Sequence, residues 1–283
     1  MKALIIAAGR GERFRPLTDE NPKPLIPLLG RPLIERVLLA VREIGIKDLV
    51  IVTGYLGEKV RSFLGDGSKY GVRIKYAENR RWHLGNGVSV YEARNLIEGN
   101  FILLMSDHVF SHEILYELQK CRIDEDECAL CVDMKMRYVF DFDDATKVLV
   151  DHDHDRILQI GKELEDYNGV DMGIFLCSPN IFEVLRKNIE KGRYTLTEAI
   201  RELAEKGKMR ACCLNDEEYF WIDIDTPQMG KIAEEILSTL ERPKVSSEKL
   251  LYEEAMIGLM EEHRLKESHR FIQKIEGNAV EKI

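Results

Sequence analysis

An apolar run over residues 3–8 breaks at once into Gly9-Arg-Gly11, and Pro16, Pro22, Pro24 and Pro27 follow closely. The run predicts a buried strand that closes on Ala7 and Ala8. Gly9 and Gly11 let backbone N–H groups approach a ligand. Arg10, Arg13, Arg15 and Lys23 crowd the same stretch, which suits it to hold an anion. Two familiar glycine loops do not fit. A dinucleotide fingerprint needs a third glycine where Phe14 stands, followed directly by a helix, and the prolines forbid an early helix. A P-loop needs Gly-Lys-Ser/Thr, which does not occur here.

The chain has 283 residues, 45% of them hydrophobic. That is enough for one large α/β domain, or a domain with an appendage. A net charge of −9 argues against binding nucleic acid or an acidic membrane. A basic loop on an acidic protein suits a small anionic substrate instead. The N-terminus runs straight into a strand without a signal peptide, and no apolar run approaches the ~20 residues of a membrane helix. Six cysteines without a secretory signal predict reduced thiols and a cytoplasmic location. Cys128-x-x-Cys131, placed on a strand, points its sulfurs to opposite faces, which speaks against a metal site.

Further along, strand and helix alternate. Helices are expected at 32–44, 58–64 and 87–97, and strands at 48–53, 72–78 and 101–105. The connections are too long for hairpins, which is the pattern of a parallel sheet with crossover helices. The middle is strand-rich, at 128–135, 146–151, 156–161 and 170–177, with Asp151-His-Asp-His-Asp155 as a hairpin turn. Helices follow at 179–188 and 196–205, strands at 209–214 and 220–224, and a helix at 227–240. The reading is an α/β, Rossmann-like, mixed but mostly parallel sheet flanked by helices. It divides the chain into a catalytic domain over 1–240 and a linker with a long C-terminal helix over 241–283. That helix carries an apolar stripe that would fold back or form a homodimer contact.

Ligands of open parallel sheets bind at the carboxyl ends of strands. Asp107 stands just past the strand at 101–105, where a carboxylate suits a magnesium ion shared with phosphate oxygens. Asp223 and Asp225 end another strand and, two residues apart, share a face.

Leu4-Ile-Ile-Ala-Ala-Gly-x-Gly-x-Arg with Asn21-Pro-Lys-Pro-Leu resembles the signature of the sugar-phosphate nucleotidyltransferases. The resemblance implies that the loop of Ala7, Ala8, Gly9 and Gly11 wraps a nucleoside triphosphate. Arg13 and Lys23 would contact its phosphates. It also implies that Asp107 and Asp225 hold Mg²⁺ with Asp223 as a helper. Lys162 would seat the acceptor phosphate, although Ile160-Gly-Lys162-Glu departs from the family's Glu-Lys-Pro, and Asp171 falls in a substrate-touching segment. Gly85, Asn86 and Gly87 occupy the base-reading loop, with Glu78 or the loop carbonyls as acceptors for a cytosine amino group. Asn86, Ser89, Asp144 and Asp171 are polar partners for ring hydroxyls. Gly-Asn-Gly-x-Ser with Asp107-His108-Val-Phe, and Asp144-Ala-Thr-Lys147, look like the inositol-1-phosphate cytidylyltransferases. His108 and Lys147 thereby become candidates for substrate contact. The implied substrates are CTP and inositol 1-phosphate, giving CDP-inositol and pyrophosphate. Phosphocholine with CTP stays open, because Trp82, Tyr91, Tyr167 and Trp221 offer aromatics for a cationic headgroup. A hexose 1-phosphate with UTP or dTTP, and an inactive nucleotide sensor on the same fold, also stay open.

Overall fold

The computed structural model describes residues 1–136, 139–214 and 219–240. The linker and long helix expected beyond 240 lie outside these residues. Strand β1 (Lys2–Ala7) leads into a loop, a one-turn helix α1 (Leu17–Glu20) and two short strands, β2 (Pro27–Leu28) and β3 (Arg31–Pro32). There follow α2 (Leu33–Glu43), β4 (Asp48–Thr53), α3 (Gly57–Leu64), β5 (Arg73–Glu78), α4 (Asn86–Glu92), β6 (Phe101–Met105), β7 (His108–Phe110) and α5 (Glu113–Lys120). The strand-rich middle is β8 (Cys128–Asp133), β9 (Lys147–Asp151), β10 (Arg156–Gly161) and β11 (Gly169–Cys177). The last described elements are α6 (Asn180–Glu190), α7 (Leu196–Glu205), β12 (Met209–Leu214), β13 (Trp221–Asp223) and α8 (Pro227–Leu240).

Nine strands form one mixed sheet in the order β5-β4-β1-β6-β11-β8-β12-β10-β9. The four from β5 to β6 are parallel, as their crossover connections predict. Parallel pairing returns between β8 and β12; β11 and β10 run against their neighbours. The antiparallel share belongs to the strand-rich middle, where β9 and β10 make the expected hairpin.

Alternate residues of β1 feed two cores. Ala3, Ile5 and Ala7 join Ile34, Val37 and Leu38 of α2 on one face. Leu4 and Ile6 face the side covered by α4, α6 and α7, with Val90, Ile181 and Ile200. Cys131 lies in the first core and Cys128 in the second, so their sulfurs do take opposite faces. A third cluster packs Phe14, Leu28, Val109 and Ile222 against Ala233 and Ile236 of α8. It pins the glycine loop to the β7–β13 pair, and so fixes the lip of the sheet where ligands bind.

Three local expectations are corrected. An early helix does form: α1 makes one turn because Pro16 stands ahead of it, where no helical N–H is needed, and Pro22 prevents its extension. Helix α4 ends at Glu92 rather than 97, since the bonds Ala93 N–H to Val90 and Arg94 N–H to Tyr91 tighten the chain into turns. Helix α5 and the short strands β2, β3 and β7 are additional. Ile114, Leu115 and Leu118 of α5 sit at helical spacing and are fully buried.

Candidate active site

The site is assembled where β1 and β6 end. Gly11 adopts φ +70°, and a Cβ there would meet Lys23 Cβ at 2.8 Å. The glycine thus serves both the turn and the close approach of Lys23. Phe14 is buried between exposed Arg13 and Arg15, so the loop is anchored by its one apolar side chain.

Lys23, only 7% exposed, places Nζ 2.6 Å from Asp107 Oδ2 and 2.7 Å from Asp225 Oδ1. Burial alone would lower the ammonium pKa, but Asp107 and Asp225 overcome it and raise it above the lysine range. Arg13 donates to Asp225 and, at 2.5 Å, to Asp144. Asp144 also accepts from Lys162. One ladder of alternating charge therefore runs Asp107–Lys23–Asp225–Arg13–Asp144–Lys162, joining residues far apart in sequence.

His108 lies beside this ladder. Its Nδ1 is 3.1 Å from Asp107 Oδ1 and 3.6 Å from Asp223 Oδ1. Burial opposes its charge, yet Asp223 and Asp107 push its pKa up to about 9. Burial raises Asp223, and the neighbouring carboxylates add to the shift. Asp171 is pushed up to about 6, chiefly by burial. Its Oδ1 accepts from the Gly173 N–H at 2.7 Å, across a bulge in β11. Gly173 has φ +68°, and a Cβ there would lie 2.6 Å from His108 Nε2. This glycine, absent from the sequence reading, leaves room for the imidazole; Asp-x-Gly within a strand was its signal.

A cleft of about 330 Å³ opens on this arrangement, lined by Arg13, Asn86, His108, Asp144, Lys162, Asp171, Asp223 and Asp225 among others. Lys23 and Asp107 stand behind its wall. Lys147 does not line the cleft; it donates to the Lys162 carbonyl at 2.6 Å and so braces the neighbouring strand. Of Trp82, Tyr91, Tyr167 and Trp221, Trp221 alone lines it, its indole N–H held by Asp133.

Several base-loop residues have other partners than the sequence suggests. A Cβ on Gly85 or Gly87 would lie 2.6 or 2.7 Å from the Tyr194 carbonyl oxygen. Their missing side chains admit the chain ahead of α7. Asn86 Oδ1 accepts from the Leu196 N–H at 2.8 Å. Ser89 is buried against Asn79 and lies away from the cleft, so it is no partner for ring hydroxyls. Asn79, also missed, is fully buried and holds both Ser89 and the Arg81 N–H. Glu78 is exposed and paired with Arg80 at 3.4 Å. Gly9 has open space above it, whereas Ala8 packs against Gly54 and Trp82.

The residues present fit a divalent cation. Ligand atoms of Asp107, His108 and Asp223 lie within 4.8 Å of one another. Asp223 Oδ1 is buried without a hydrogen-bond partner, an atom that an ion would satisfy. Asp225 joins them through Lys23. Such carboxylate oxygens suit a hard cation shared with phosphate.

A strand-borne glycine loop, a basic pair and facing carboxylates at the carboxyl edge of a mixed sheet define a phosphate-handling α/β protein. Residues 2–229 match the model of the nucleotidyl transferase family, and the chain belongs to that family. It is 34% identical over 228 residues to a protein of Aquifex aeolicus named bifunctional IPC transferase and DIPP synthase, covering 80% of this chain and 49% of that one. It is 29% identical over 230 residues to the bifunctional protein GlmU of Methanococcus maripaludis, covering 80% of this chain and 52% of the relative. The chain thus spans about half the length of the curated relatives it matches. Among solved structures, the inositol-1-phosphate CTP transferase from T. maritima superposes with a TM-score of 0.70 at 26% identity, over 86% of this chain and 98% of the other. Among the described residues, no helix is long and apolar enough to cross a membrane.

Proposed function

We propose that residues 1–240 form a cytidylyltransferase domain that makes CDP-inositol and pyrophosphate from CTP and inositol 1-phosphate. The observation that supports this reading is the charge ladder, which links Arg13 and Lys23 to Lys162 through shared carboxylates, with Arg13 and Lys162 lining one cleft. Arg13 and Lys23 lie at the glycine loop, and Lys162 lies across the opening on β10's extension. The similarity to the T. maritima enzyme supports CTP and inositol 1-phosphate as the substrate pair.

In this mechanism a phosphate oxygen of the acceptor attacks the α-phosphorus of CTP in line. A new P–O bond forms, the bond to the β-phosphate breaks, and pyrophosphate leaves. No covalent enzyme intermediate is needed, so the protein contributes positioning and charge. Arg13 and the glycine-loop N–H groups hold the triphosphate and the departing pyrophosphate. Lys23 keeps Asp107 and Asp225 together, with one of its three ammonium protons left for a phosphate oxygen. Lys162 seats the acceptor phosphate, while Asp171 and Asn86 face the ring. Asp107, Asp225 and Asp223 would hold Mg²⁺, which supplies charge neutralisation on the phosphoryl oxygens when bound.

The test is kcat/KM for CTP, UTP and dTTP, each with inositol 1-phosphate, glucose 1-phosphate and phosphocholine. CTP with inositol 1-phosphate is expected to lead by about 10²-fold or more, the least expected of a site that hydrogen-bonds the cytosine amino group. A higher value for dTTP with glucose 1-phosphate would remove both assignments; efficient phosphocholine use with CTP would remove only the acceptor. Lys162→Ala is expected to raise the acceptor KM by roughly 10–100-fold, the worth of a charge-assisted hydrogen bond, with kcat little changed. Equal losses in the KM of both substrates would contradict the division of labour between Lys162 and the glycine loop.

A further inference from the structure

We infer that Asp144 is a specificity-determining residue: a built-in anion that engages both Arg13 and Lys162, so that a phosphate group enters only by displacing it. The inference rests on the reading of these two cations as phosphate-binding groups.

Asp144 lies on the irregular stretch between β8 and β9, outside any strand. Its Oδ2 accepts from Arg13 and its Oδ1 from Lys162, so one carboxylate spans cations contributed by the glycine loop and by the opposite wall. These are the cations that the proposed reaction assigns to phosphate. A phosphate group presents two oxygens at a similar spacing and carries more charge, so it can replace the carboxylate at both contacts.

The exchange is cheap because the contacts are wet. The side chains of Arg13, Asp144 and Lys162 are 46%, 34% and 50% exposed. Ion pairs with that much solvent are weakly held. Lys23 differs: at 8% exposure and fixed between two carboxylates, it has no such freedom. Both cations hold Asp144 below the usual carboxylate range against the opposing effect of burial. At neutral pH it is therefore an anion.

Asp141, Asp171, Asp223 and Asp225 also line the cleft. The carboxylates outnumber the cations, so the surrounding charge opposes any entering anion, and its binding must come from Arg13 and Lys162. A dianionic phosphomonoester pairs with those two cations more strongly than a single carboxylate or a monoanion does. Asp144 thus sets the charge an incoming group must carry.

The experiment is calorimetric binding of inorganic phosphate to the full chain, in metal-free buffer at a pH where phosphate is mainly dianionic. Asp144→Asn is nearly isosteric and is expected to bind phosphate about tenfold more tightly than the parent, the scale of two partly screened ion pairs. Adding Lys162→Ala to that variant is expected to abolish the gain. Circular dichroism checks the fold, and Asp144→Ser replaces the asparagine variant if that one does not fold. Unchanged or weaker phosphate binding in the folded variant overturns the inference, as it would if Asp144 served only to hold ring hydroxyls or to brace the loop. The probe carries neither base nor ring. Tighter phosphate binding in a protein that fails to turn over CTP and inositol 1-phosphate would sink the proposed function and leave this inference standing.

Discussion

Asp107→Asn is expected to lower kcat/KM by about 10²–10³-fold, the loss seen when one preorganised electrostatic group is removed from a transition state. Asparagine keeps the volume and one oxygen of the carboxylate but loses its charge. In the folded protein that charge faces Lys23 at 2.6 Å and His108 at 3.1 Å, at the end of β6. Both cations stay paired in the variant, since Lys23 retains Asp225 and His108 retains Asp223. The fold should therefore survive, and the thermal midpoint should move little. Asp225→Asn is expected to behave alike, and both variants should bind Mg²⁺ more weakly by calorimetry. Near-parental rates in both at ordinary Mg²⁺ would show that these carboxylates do not support the reaction.

Lys23→Met is expected to cost stability as well as rate. Breaking a buried ion pair by removing one partner costs about 3–5 kcal/mol, because the remaining charge has lost its counter-ion. Here two carboxylates are left facing one another, with Asp223 close by. For a domain of this size the midpoint should fall by roughly 10 °C. Millimolar Mg²⁺ should recover part of that fall by supplying positive charge to the same oxygens. A midpoint that is unchanged in metal-free buffer would mean that Lys23 is not the counter-ion of Asp107 and Asp225. Turnover should drop together with triphosphate affinity.

The parallel half of the sheet was legible because β1, β4 and β6 are largely apolar runs buried on both faces, while the edge strand β5 alternates. Residues 101–105 and 48–53 form strands with the expected limits. The cores follow from the same alternation. The meeting of Asp107 with Asp225 was partly legible, since both stand just past strand ends. What could not be read was pairing between distant loops. The Asp144 contacts with Arg13 and Lys162 depend on where an irregular stretch folds back, and no periodicity encodes that. Gly85 and Gly87 show a related limit. A glycine marks close approach, but its position in the chain does not say what approaches, and here it is the Tyr194 carbonyl. Strand β7 is three residues long and exists through its pairing with β13, beyond the reach of local pattern.

On the proposed reading, the mixed sheet also separates two tasks along its width. The glycine loop follows β1, which lies between the parallel strands β4 and β6, whereas the walls carrying Lys162, Asp171 and Asp144 belong to the end of β10, to the antiparallel strand β11 and to the stretch before β9. Antiparallel strands joined by turns tolerate changes in loop length without re-threading a crossover helix. Grafting the 139–173 segment is therefore expected to change acceptor choice while the glycine-loop end keeps its geometry. In such chimaeras the donor nucleotide should follow the N-terminal half of the chain and the acceptor should follow the graft.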